Sequence, residues 1–103
     1  MRFTQIIDFE TEHIDELEAF LEERRTALAD KDYGPVDRIL LRDRDRPNRY
    51  LAIVGFASHE DAMRNNDDPE TQKIAEKMAT LCPKPPVFTN CDLLEQEELG
   101  KRA

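Results

Sequence analysis

Residues 49–57 read Arg-Tyr-Leu-Ala-Ile-Val-Gly-Phe-Ala, RYLAIVGFA, and run straight into Ser58-His59-Glu60-Asp61. The two-residue period of a strand sends Tyr50, Ala52, Val54 and Phe56 to one face. Leu51, Ile53, Gly55 and Ala57 go to the other. Both rows are apolar or small, whereas a strand with one solvated face alternates apolar with polar residues. The stretch therefore predicts a strand with something packed on each side. Ser58 and Asp61 then have the S-x-x-[DE] form of a capping box, so a helix is expected to begin there.

Upstream, 36–42 (VDRILLR) supplies another apolar run, with Ile39, Leu40 and Leu41 in a row. It is separated from residue 49 by DRDRPN, whose Pro47-Asn48 predicts a β-hairpin with a charged tip. The N-terminal segment 2–9, RFTQIIDF, alternates as a strand. From Thr11 the period becomes helical, with Ile14, Leu17, Phe20, Leu21 and Leu28 on one stripe. Downstream, Asn65-Asn66-Asp67-Asp68-Pro69 interrupts the second helix, Asp68 reading as a fresh N-cap and Pro69 as its first helical residue. Ile74, Ala75, Met78, Leu81 and Cys82 continue the apolar stripe until Pro83, Pro85 and Pro86 stop it. Residues 87–94, VFTNCDLL, read as a last strand.

The resulting order is the ferredoxin-like βαββαβ plan, an α+β fold with a four-stranded antiparallel sheet and both helices on one face. Residues 1–95 form a single domain on this reading, and 96–103 form a C-terminal tail. The bare sheet face, bearing Leu51, Ile53, Ile39 and Leu41, is too apolar to leave in water. A second copy of the same face is the simplest cover, which makes a homodimer the expected assembly.

Composition narrows the partners. The 103 residues carry a net charge of −8, which repels nucleic-acid backbones and anionic lipid surfaces. Arg42, Arg44, Arg46 and Arg49 are interleaved with Asp43 and Asp45, as suits a solvated hairpin. Neither nucleic acid nor membrane is expected as a partner. The opening residues MRFTQIIDFE do not read as a signal peptide, no window is apolar enough to span a bilayer, and Cys82 and Cys91 form no CxxC. A reducing, cytoplasmic location is the expectation. His13 and His59 have no metal-ligand spacing, and no metal site is expected.

Element order over about 2–94, and the segment RYLAIVGFASHEDAMRNNDDPETQKIAEKM (49–78) in particular, resembles the dimeric α+β barrel superfamily, in its antibiotic-biosynthesis-monooxygenase-like branch. The resemblance implies two sheets facing each other across a dimer, with a small-molecule pocket between each sheet and its helices. It implies chemistry without a cofactor, such as monooxygenation or isomerisation of an apolar cyclic substrate; the alternative is a ligand-binding or sensing dimer without catalysis. An acid common near the end of the third strand is replaced here by Gly55, and a histidine common in the second helix by Asn66. The chain has no Trp, and Ala75 or Glu76 stands where haem-degrading members carry a His, so haem degradation is excluded.

No catalytic residue is named by the sequence. The ligand-binding candidates are Asn66, His59, Ile53, Gly55, Gln5 and Asn90. Asn66 could offer its amide to a ligand carbonyl or hydroxyl, while Asn65 reads as a turn-former ending a helix. Gln5, Arg38, Asn90 and Asp92 are polar residues in apolar strands, costly to bury without a partner, and an Arg38–Asp92 pair is one way to satisfy two of them.

Overall fold

The computed structural model describes residues 1–100. The elements are β1 (Phe3–Glu10), α1 (Ile14–Leu28), β2 (Asp37–Arg42), β3 (Arg49–Phe56), α2 (His59–Asn66), α3 (Pro69–Leu81) and β4 (Val87–Asp92). All strand pairs are antiparallel, in the order β2-β3-β1-β4. This is the ferredoxin-like arrangement with its second helix split in two.

Alternation sorts the side chains as the period requires. Phe3 and Phe9 of β1 join Tyr50, Ala52, Val54 and Phe56 of β3 in one buried cluster with Leu17, Ala62 and Met78 from the helices. Each buried Phe, Leu, Val or Met here contributes roughly 1.5–3 kcal/mol, so this layer carries most of the fold. Phe9 stacks on Tyr50 at 5.7 Å between ring centroids. On the opposite face Ile39, Ile53 and Ile6 fall in register across β2, β3 and β1. Ile39 and Leu41 remain 53% and 43% exposed there.

The caps form where the side chains predict. Ser58 Oγ accepts from the Asp61 amide at 3.1 Å, and Asp68 Oδ1 accepts from the Glu70 amide at 2.9 Å with Pro69 at the first helical position. Two boundaries shift by more than one residue. The first helix begins at Ile14 rather than Thr11, because Thr11, 1% exposed, is used as a staple. Its hydroxyl donates to the Leu81 carbonyl at 2.7 Å and accepts from the His13 amide at 3.0 Å, tying the start of α1 to the end of α3. The last strand ends at Asp92, after which the Leu93 amide donates to the Arg2 carbonyl at 2.9 Å. Of the expected tail, residues 96–100 carry no helix or strand and are exposed, and 101–103 lie outside the described residues.

At the hairpin tip, Asp43 accepts from the Asp45 and Arg46 amides in a local turn, which suits Asp at such positions. Arg49 closes this end of the sheet, its Nε and Nη2 donating side by side to the Asp8 carboxylate (3.1 and 2.7 Å) and its Nη1 donating to Asp43 at 2.8 Å. No helix among the described residues is long and apolar enough to cross a membrane.

Candidate functional site

A cavity of about 420 Å³ lies between the sheet and the helices, within the range of roughly 300–1,000 Å³ usual for small-molecule sites. Its floor is the helix-facing row of the sheet, including Ile7, Phe9 and Val54, with Phe88 at one side. Its roof is the inner stripe of α1 and α3, Leu17, Leu21, Ile74 and Met78. Polar groups enter at a few points only: Gln5 and Arg38 from the strands, Arg25 from α1, and Asn65, Asn66, Thr71 and Gln72 around the α2–α3 junction.

The Asp68-Pro69 break explains the cluster at the junction. A fresh cap and a proline end one helix and start another in a new direction, so the last turn of α2 and the first turn of α3 both present side chains to the cavity. Asn65 is 6% exposed, yet its Oδ1 is buried without a hydrogen-bond partner. An unpaired buried carbonyl oxygen costs about 1–3 kcal/mol. The hydroxyl of Thr71, on the same cavity wall, is likewise buried without a partner. Asn66 also lines the cavity, and its backbone carbonyl accepts from Gln72 Nε2 at 2.6 Å.

The remaining polar groups are satisfied. Gln5 and Asn90 are register partners on β1 and β4, and Gln5 Nε2 donates to Asn90 Oδ1 at 3.1 Å. Arg38 makes two bonds to the Glu18 carboxylate, at 3.0 and 2.9 Å. The suggested Arg38–Asp92 pair is therefore replaced by a strand-to-helix pair: β2 and β4 are the two outer strands, with β3 and β1 between them. Arg25 pairs with Glu22 on its own helix at 2.8 Å.

Of the sequence-selected residues, Gln5 and Asn66 line the cavity, and Asn90, beside Gln5 on the next strand, accepts its hydrogen bond. His59 does not line it: the ring is exposed at the start of α2 and packs edge-on against Phe3 at 5.0 Å. Ile53 and Gly55 do not either, since strand alternation places them on the far face with Leu51, Ile39 and Leu41. Asn65 and Thr71 are the residues that sequence reasoning passed over. Helical phase from His59 was the available signal, because Ala62 and Asn65 stand three apart on one face and both are buried.

Beside the junction, the loop between α1 and β2 is held down by side chains. The Tyr33 hydroxyl donates to Asp68 Oδ2, and the Lys31 ammonium lies 3.9 Å from the same carboxylate. Arg64 lies over the Tyr33 ring at 4.7 Å. The hydrogen bond from Tyr33 holds the Asp68 carboxyl below the ordinary carboxylate value, and the same bond raises the Tyr33 phenol above its ordinary value. Burial raises the Cys82 thiol, and Cys82 faces the core, not the cavity. Among the described residues no group of three His, Cys, Asp or Glu side chains could hold a metal ion.

No protein-family profile matches the sequence, and no curated relative matches it. The fold does match solved structures. SnoaB, a cofactor-independent oxygenase from Streptomyces nogalater, superposes with a TM-score of 0.76 at 21% identity, covering 92% of this chain and 95% of that one. A candidate antibiotic biosynthesis monooxygenase from Caulobacter crescentus gives 0.77 at 14% identity and 91% of each chain. A protein of Mycobacterium tuberculosis gives 0.75 at 16% identity, over 95% of this chain and all of that one. The chain has the fold of the antibiotic-biosynthesis-monooxygenase-like proteins.

Proposed function

We propose that this protein binds an apolar, cyclic small molecule bearing a hydroxyl group in the cavity between its sheet and its helices. Asn65 is the polar anchor. The observation that carries this reading is Asn65: the residue is part of the wall of an otherwise greasy cavity, and just beneath that wall its Oδ1 is buried with no hydrogen-bond partner among the described residues. A protein retains such a group against its cost where a ligand supplies the missing donor. A ligand O–H that reaches the Asn65 amide supplies that donor, and flat apolar rings match the aliphatic and aromatic floor and roof.

The likeness to SnoaB supports oxygenation of such a ligand without a cofactor as the reaction. The lining favours a substrate that releases its own proton readily, because among the described residues no Asp, Glu, His or Cys lines the cavity to act as a base. The same absence supports a second reading, a binding or sensing protein that performs no turnover. The uncovered sheet face supports a homodimer, in which a second copy buries Ile39, Leu41, Leu51 and Ile53.

A panel of phenols, hydroquinones and hydroxyquinones, scored for raised melting temperature and for oxygen uptake, tests both readings. Stabilisation with oxygen uptake supports the oxygenase. Stabilisation alone supports the binder, and no stabilisation by any member contradicts the cavity reading.

A further inference from the structure

Taking the cavity as the ligand site, as proposed above, the geometry points to the loop 29–36 being a lid over the cavity mouth, latched by the hydrogen bond from Tyr33 to Asp68. Two rims bound the mouth. One is the end of α1 and its loop, where Arg25, Leu28 and Pro35 line the cavity. The other is the α2–α3 junction, where Asn66 and Gln72 do so. Arg25, Pro35 and Gln72 are exposed as well as cavity-lining, which marks an opening between the rims; Ala75 on α3 and Phe88 on β4 are exposed lining residues too, away from the loop.

Tyr33 and Asp68 bridge these rims. Leu28 and Pro35 stand at the two ends of the loop, so releasing its middle moves lining residues on both sides of it. Among the described residues, backbone bonds hold the loop only toward its ends, the first being from the Ala29 amide to the Thr26 carbonyl at 3.3 Å. The Lys31 amide donates to the Leu28 carbonyl at 3.0 Å, a turn bond local to the end of α1, and the Val36 amide donates to the Gly55 carbonyl at 2.8 Å where the chain joins the sheet. Between those points the grip on the junction is made by side chains: Tyr33 on Asp68, Lys31 near Asp68, Arg64 on the Tyr33 ring, and Arg64 reaching Asp32 at 3.5 Å. Asp68 is itself fixed, being buried and capping α3. The junction is thus a rigid keeper and the loop the moving part, and segments with few backbone bonds open at low cost.

The test compares wild type with Tyr33→Phe, which keeps the ring under Arg64 and removes only the hydroxyl. Quinizarin, a dihydroxyanthraquinone, serves as the probe, with its association and dissociation rates followed by stopped-flow fluorescence. Exchange of the Lys31 amide is measured without probe, with β3 amides as the control. A lid predicts that both rates rise roughly tenfold on loss of one charge-assisted hydrogen bond, with Kd held within about twofold. It also predicts faster Lys31 exchange beside unchanged β3 exchange. Unchanged rates overturn the lid, and so does a rise in the dissociation rate alone, which marks Tyr33 as a binding group. Absence of saturable probe binding to wild type overturns the cavity reading and the lid with it. The exchange rates then still report whether the latch holds the loop.

Discussion

Asp37 lays its carboxylate across the bare Cα of Gly55, its register partner on β3, in the space that a side chain there would fill. Arg2 completes the arrangement, pairing with Asp37 at 2.7 Å over the same glycine. A Cβ at Gly55 displaces both, but each is the free end of a flexible, solvent-exposed side chain. Gly55→Ala is expected to leave folding stability nearly unchanged. Loss of a surface ion pair costs at most about 1 kcal/mol, and alanine returns a similar amount by stiffening the strand. A denaturation midpoint within error of wild type checks this; a loss of several kcal/mol contradicts it.

The same face should associate. Wild type is expected to sediment as a dimer at micromolar concentration, and Ile53→Asp as a folded monomer, since a carboxylate in the middle of an isoleucine row cannot be buried cheaply. Far-ultraviolet circular dichroism confirms folding of the variant. A wild-type monomer at that concentration removes the case for a dimer.

Acid should weaken the Arg49 cluster. The bonds from Arg49 hold Asp8 and Asp43 below the ordinary value of 3.8. Groups with depressed folded-state values contribute fully above their unfolded value, and that contribution is lost as the pH falls through the folded one. The stability gap between wild type and Arg49→Leu is therefore expected to be constant from neutrality down to about pH 5 and to shrink below pH 4. Urea titrations across that range measure it. A gap that stays constant into strong acid contradicts the assignment.

The Thr11 staple is expected to matter more than its small size suggests. Thr11→Val keeps the shape but removes the partner of the part-buried Leu81 carbonyl and of the His13 amide, at a cost of about 1 kcal/mol or more. Urea unfolding should show it. Equal stability would mean that water replaces the hydroxyl.

Much of the fold was legible because period and caps are local signals. The switch from alternation in RFTQIIDF to three- and four-residue spacing after Thr11, the Ser58 and Asp68 caps and the proline stop after Cys82 each depend on a few neighbours. The two faces of β3 were legible for the same reason. The site was harder to read. Asn65 and Asn66 are adjacent and chemically identical, and only the rotation of α2 against Ala62 separates the buried one from its half-buried neighbour. Arg38 has its partner Glu18 on a different element, 20 positions away, so no spacing rule could pair them. Gly55 and Ile53 look like pocket residues in a strand that is apolar on both sides, and register with the helix layer alone decides which side holds the cavity.

The central claim is that Asn65 stays buried and unpaired for the sake of a ligand. Calorimetric titration of quinizarin into wild type and Asn65→Leu, alongside their unfolding curves, tests it most directly. The account predicts one probe per chain for wild type and binding weaker by roughly tenfold for the leucine variant, which should itself gain about 1 kcal/mol of stability by losing the orphaned carbonyl. Equal affinity in the two proteins, or a leucine variant that binds normally and folds less stably, would contradict it.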